Sequence, residues 1–234
     1  KSSGNGISID EWLTYASPES LSYFMYQKPK TAKRLHFDVI PKAVDEYHQQ
    51  LRAYEKQDLK SKATNPIFHI HGINAPKSDM VVPFSMLLNL AAVANAEDKE
   101  QLWGFIKRYA QDASPENNPQ LDQAVSSAIS YYNDFVKPEK VYRLPNSIER
   151  EALTDLRDML VDFNGNRDAE ELQSIVFSCG REKFDPLRDW FKALYEVLLG
   201  ASQGPRFGGF IALYGIEETV RLIDNALDGM FVKD

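Results

Sequence analysis

A mainly helical fold is expected for this 234-residue chain, and three observations point to it. Apolar residues return every three or four positions along nearly its whole length, which places them on one face of a helix. Strand-like runs are confined to two short segments. Proline- and glycine-containing breakers divide the chain into blocks of ordinary helix length. At 43% hydrophobic residues, the chain can bury one sizeable core or two modest ones.

In chain order, the two short runs that could pair as strands are Arg34 to Phe37 and Ile67 to Ile70, a small sheet near the start. Between them Val39, Ile40, Ala43, Val44, Tyr47, Leu51 and Tyr54 form an amphipathic helix. Asp38 is placed to cap that helix, and Pro41 falls in its first turn, where a missing N–H costs little. A polar, proline-containing stretch from Gly72 to Pro83 follows, and it is the best domain boundary.

Helical faces then recur at Leu102 to Tyr109, Leu121 to Phe135, Leu153 to Phe163, Leu187 to Leu198 and Ile216 to Leu227. Between these blocks lie the breakers Ser114-Pro115, Lys137-Pro138, Pro145-Asn146 and Asn164-Gly165-Asn166. The faces read as core. No apolar run approaches the length of a membrane span.

The net charge of −7 argues against indiscriminate polyanion binding by the whole surface, but its distribution is uneven. From Lys28 to Lys62 nine basic residues stand against five acids, so that segment is net +4 and the remainder net −11. Two readings stay open, a solvated basic face and a nucleic-acid face.

Few residues offer chemistry. Cys179, the single cysteine, lies in an apolar helical context and reads as packed; an isolated thiol fits a reducing cytoplasm. His69 and His71 would point the same way from a strand and could share a metal or a phosphate. A metal needs a third ligand, and none is near in sequence, so no metal site is assigned. Neither a catalytic acid–base pair nor a phosphate-binding glycine pattern can be read. Gly204-Pro205-Arg206-Phe207-Gly208-Gly209-Phe210 admits two readings: a tight helix junction, or a guanidinium and aromatic planes on which unstacked bases rest.

The opening Lys1-Ser2-Ser3-Gly4-Asn5-Gly6 resembles the second half of the Lys-Met-Ser-Lys-Ser loop of class I aminoacyl-tRNA synthetases and the Gly-Asn after it. The succession Ile7 to Leu13, Ala16 to Leu21, Lys28-Pro29-Lys30-Thr31-Ala32-Lys33-Arg34 and Phe37 to Pro41 resembles the region after that signature in class I lysyl-tRNA synthetases. The likeness continues through Pro83 to Ala96 and Gln203 to Gly215, the last block being similar also to glutamyl-tRNA synthetases.

The resemblance implies a C-terminal portion that starts within the signature. Residues 1–80 would form the signature remnant and stem-contact region, and 81–234 an α-helix cage that binds the anticodon. Lys1 and Ser2 would belong to the ATP site. Lys28, Lys30, Lys33 and Arg34 would meet the inner corner of tRNA(Lys), and Arg206 and Phe207 the anticodon. ATP with Mg, and lysine, would be handled by a preceding domain in a cytoplasmic enzyme without membrane attachment. These 234 residues alone are expected not to activate lysine. A helical protein-interaction module and the glutamyl enzyme are the alternatives.

Overall fold

The first helix is written in its cap: Ser8 Oγ accepts from the Glu11 N–H at 3.2 Å while the Glu11 carboxylate takes the Ser8 N–H at 2.6 Å. A computed structural model describes residues 6–165 and 167–232. Among the described residues there are thirteen α-helices and no strand, in agreement with the mainly helical expectation. They fall into two compact units, one built from the residues up to Leu87 with Ala113–Tyr131, the other from Leu88–Asp112 with Tyr132 onward.

In the first unit, α1 (Ile9–Tyr15) buries Trp12, whose indole N–H donates to Ser20 Oγ at 3.4 Å. Ser20 lies on α2 (Pro18–Tyr26), which Ser17 caps ahead of Pro18 at its first position. The long α3 (Ile40–Glu55) turns Ile40, Ala43, Val44, Tyr47, Leu51 and Tyr54 inward, as the periodicity predicts. Its start differs from expectation. A 3₁₀ turn at Phe37–Val39 leads in, Val39 occupies the cap position, and Asp38 instead pairs with His36 Nδ1 at 2.8 Å.

After α4 (Leu59–Ala63) comes α5 (Pro66–His71), which corrects the second strand expectation. Asn65 Oδ1 accepts the Ile67 N–H at 2.9 Å and Pro66 sets the first helical φ, so Ile67 to Ile70 coils. Arg34 to Phe37 forms no strand and runs into the 3₁₀ turn through an extended His36; Ile7 N–H donates to Leu35 C=O at 3.1 Å.

Two later helices are capped from far away. Asp45 accepts from the N–H groups of Phe84 (2.6 Å) and Ser85 (3.2 Å) at the head of α6 (Phe84–Ala94). Asp79 accepts from Gln120 and Leu121, both at 3.0 Å, at the head of α8 (Pro119–Tyr131). Each carboxylate meets the orphan donors and positive dipole end of its helix.

The second unit holds α7 (Lys99–Tyr109), α9 (Ser147–Val161), α10 (Ala169–Arg181), α11 (Arg188–Leu194), α12 (Phe207–Tyr214) and α13 (Ile216–Leu227), with π-helical turns at Tyr132–Val136 and Tyr195–Leu199. Leu102, Leu153, Leu156, Leu172, Val176, Trp190, Phe207, Phe210 and Ile223 form its interior. The tightest seat is α12 on α10. A Cβ at Gly208 would overlap the Ala169 carbonyl and the Gln173 backbone, and the Gly208 N–H donates to Gln173 Oε1 at 2.8 Å. Glycine is needed there for approach.

Candidate nucleic-acid interface

The chain leaves α2 through Gln27 into Lys28, whose φ of 49° puts a lysine in the left-handed region and turns the backbone sharply. A β-turn follows, closed by Thr31 N–H to Lys28 C=O at 3.0 Å, with Pro29 at the position that favours proline. The result is a short, presented loop.

Lys28, Lys30 and Arg34 are exposed and make no ion pair among the described residues. Lys33 is different. Its ammonium donates to the Phe24 carbonyl and lies over the Phe24 ring, 4.6 Å from the centroid. Burial, and then repulsion from Lys28, hold its pKa below the usual lysine range. The four predicted residues therefore divide into three free cations and one that anchors the loop to α2.

Beside the loop runs a groove of about 790 Å³ between α2 and α3, lined by Phe24, Gln27, Lys28, Asp38, Lys42 and Glu46. Lys42 extends the positive edge; its link to Glu46 is a long 3.7 Å, and Glu46 also accepts from Gln27 Nε2 at 3.1 Å. In the sequence, the signal for Lys42 is its place in the first turn of a helix that begins just after the loop. Farther along, Lys62 sits over the Tyr54 ring at 5.0 Å.

The two histidines do not pair. From α5, His69 stacks on Tyr26 with ring centroids 5.1 Å apart, while His71 Nε2 meets the Tyr47 hydroxyl at 2.8 Å. Helical positions two apart diverge, so the strand alternation that would have let the two imidazoles share a ligand does not apply. Among the described residues no group of three His, Cys, Asp or Glu could hold a metal ion.

Arg206 and Phe207 begin α12 in the second unit and point to opposite environments. Arg206 is exposed and pairs in a two-pronged fashion with Glu170, the Nη2–Oε2 arm being 2.6 Å. Phe207 is 0% exposed, packed against Tyr195 and Phe210. Its ring serves the core, which favours the helix-junction reading for that residue and removes it as a stacking surface. Lys1 and Ser2 lie outside the described residues. Cys179 is buried, and burial pushes its thiol pKa up. Among the described residues no helix is long and apolar enough to cross a membrane.

Comparison with known proteins places the sequence beside one family. Residues 1–74 match the family model described as tRNA synthetases class I (K). The whole chain is 71% identical over 234 residues to the lysine–tRNA ligase of Roseobacter denitrificans, covering 44% of that protein. Over 230 residues, 97% of the chain, it is 47% identical to the lysine–tRNA ligase of Rickettsia conorii and 48% to that of Rickettsia bellii, again 44% of each. The chain thus spans less than half the length of these curated relatives. Through this likeness, which runs from end to end of its sequence, the chain belongs to the class I lysyl-tRNA synthetase family.

Proposed function

We propose that the chain is the tRNA-binding portion of a cytoplasmic class I lysine–tRNA ligase, which makes lysyl-adenylate from ATP with Mg and transfers lysine to tRNA(Lys). Residues up to about 80 contact the tRNA body, and 81–234 engage the anticodon. Lys1 and Ser2 belong to the ATP site. The observation that carries this reading is the Lys28–Arg34 loop, with three exposed cations that make no ion pair among the described residues. Such cations displace condensed counterions from a phosphate backbone, so each contributes affinity that falls with salt.

The test is tRNA(Lys) binding across a salt series with the triple variant Lys28→Ala, Lys30→Ala, Arg34→Ala. Lys33 is left intact because it anchors the loop. Loss of three phosphate contacts lowers the magnitude of the slope of log K against log salt by about 3. Unchanged affinity and slope would remove the loop from the interface. Preference for tRNA(Glu) over tRNA(Lys) would favour the glutamyl alternative, and absence of any tRNA binding the interaction module.

A further inference from the structure

A second cationic and aromatic site lies in the other unit, where α11 passes into its π-helical turn. Arg188, Phe191, Lys192 and Tyr195 follow one another at intervals that put them on one helix face. With Asp189 and Ser202 they line a pocket of about 440 Å³. The Arg188 and Lys192 side chains are 86% and 63% exposed, and each makes only a long, water-screened ion pair, with Asp189 at 3.7 Å and with Glu196 at 3.6 Å. Glu196 is engaged more closely by Arg143 Nε, at 2.7 Å. Both cations are available at the rim.

The aromatic wall is fixed from behind. The Tyr195 hydroxyl donates to the Pro205 carbonyl at 2.8 Å, and a Cβ on Gly204 would overlap the Tyr195 ring, so the Gly204-Pro205 backbone lies directly against that ring. Phe191 is steadied by a T-shaped contact with Phe177, centroids 5.2 Å apart. The same loop delivers Arg206. A held tyrosine, a half-buried phenylalanine and two exposed cations at the rim suit a planar base and its phosphate better than a compact anion, which would make no use of the rings.

We propose that this pocket receives one unpaired nucleotide of a single-stranded RNA loop, its base against Phe191 and Tyr195 and its phosphates on Arg188 and Lys192. The inference deepens the tRNA-binding reading and rests on it: the unpaired loop is that of the anticodon arm.

The probe is an RNA hairpin carrying the anticodon stem and loop of tRNA(Lys), compared with a fully paired duplex of the same stem. The unaltered chain should bind the hairpin at least about tenfold more tightly, the contribution of one stacked base. Arg188→Ala with Lys192→Ala should weaken the hairpin and lower the salt slope by about 2. Gly204→Ala, which displaces the Tyr195 ring, should cost about tenfold in hairpin affinity with the salt slope unchanged. Phe191→Leu keeps apolar volume against Phe177 and should lose the same preference for hairpin over duplex. Equal binding of hairpin and duplex, or unaltered hairpin binding by all these variants, overturns the pocket. If whole tRNA binds and the hairpin does not, the pocket falls while the function proposed above stands; if neither binds, that function falls first.

Discussion

A loop of the first unit and the helix junctions of the second treat positive charge in opposite ways. In the first, Lys28, Lys30 and Arg34 make no ion pair among the described residues, and the interior places His48 beside Arg52. In the second, Arg206 is forked by Glu170, Arg143 by Glu149 and Glu196, and Lys183 is held by Asp155 at 2.7 Å. Burial alone would raise the Glu149 pKa, yet hydrogen bonds from Arg143 and from the Asn146 N–H leave it below the usual carboxylate range. A count of charges sees basic residues in both units. Pairing separates the cations committed to structure from those left for a partner, and by that measure the Lys28–Arg34 loop and the Arg188–Lys192 rim belong together, while Arg206 starts out compensated.

The largest effect expected from breaking this contrast is on the seat that carries Arg206. Gly208→Ala forces a methyl group into the α10 backbone, which cannot yield as a side chain tip could. The cost should be about 3 kcal/mol, read as a fall in the denaturant midpoint, with weaker RNA-hairpin binding only as a consequence of unfolding. A variant as stable as the parent would show that α12 is not held by close backbone approach.

Acid should find the first unit next. His48 is buried, with Nδ1 3.1 Å from Ser78 Oγ, and burial first, then Arg52, push its pKa down to about 4. The unfolded chain takes up this proton below the ordinary histidine value, whereas the folded chain resists until near pH 4. The stability is therefore intact above the unfolded pKa and is lost as pH falls through the window between the two values. The loss should reach about 2 kcal/mol by about pH 4.5. His48→Gln keeps a polar partner for Ser78 but does not titrate, so its midpoint should change less between neutral and acidic buffer. An identical acid slope in both proteins would exclude His48 as the cause.

These predictions use features of unequal visibility in the sequence. The helical faces were legible because burial enforces a period, as Ala43, Val44, Tyr47, Leu51 and Tyr54 show. Ile67 to Ile70 was legible as an apolar run, yet Asn65-Pro66 makes it the first turn of α5; a short apolar run cannot by itself distinguish strand from helix. Asp45 and Asp79 cap helices about forty residues away, at separations of 39 to 42 positions, and no local pattern encodes such partners. In the candidate interface, the Lys28–Arg34 loop was legible as charge, but the withdrawal of Lys33 onto Phe24 was not. Phe191 and Tyr195 sat in a block read as core. What marks them out is the return of the Gly204-Pro205 loop onto the Tyr195 ring, a tertiary contact.

Arg206 offers the smallest effect on stability and the sharpest use of the comparison. Its side chain is 58% exposed and that of Glu170 68%, so the ion pair is screened by water and adds little to folding despite its two-pronged geometry. Arg206→Ala should cost less than about 1 kcal/mol in a denaturation experiment. Binding should respond differently. The guanidinium needs only to leave an exposed carboxylate to meet an RNA base or phosphate, and Glu170 would discourage partners unable to compete for it. Arg206→Ala should therefore narrow the difference in affinity between tRNA(Lys) and anticodon variants while leaving the melting curve nearly in place. Glu170→Gln should do the reverse, freeing the guanidinium and raising affinity for all the RNAs together. If instead Arg206→Ala destabilises the chain severely and discrimination among the folded molecules is unchanged, Arg206 belongs with Arg143 and Lys183 among the cations spent on structure.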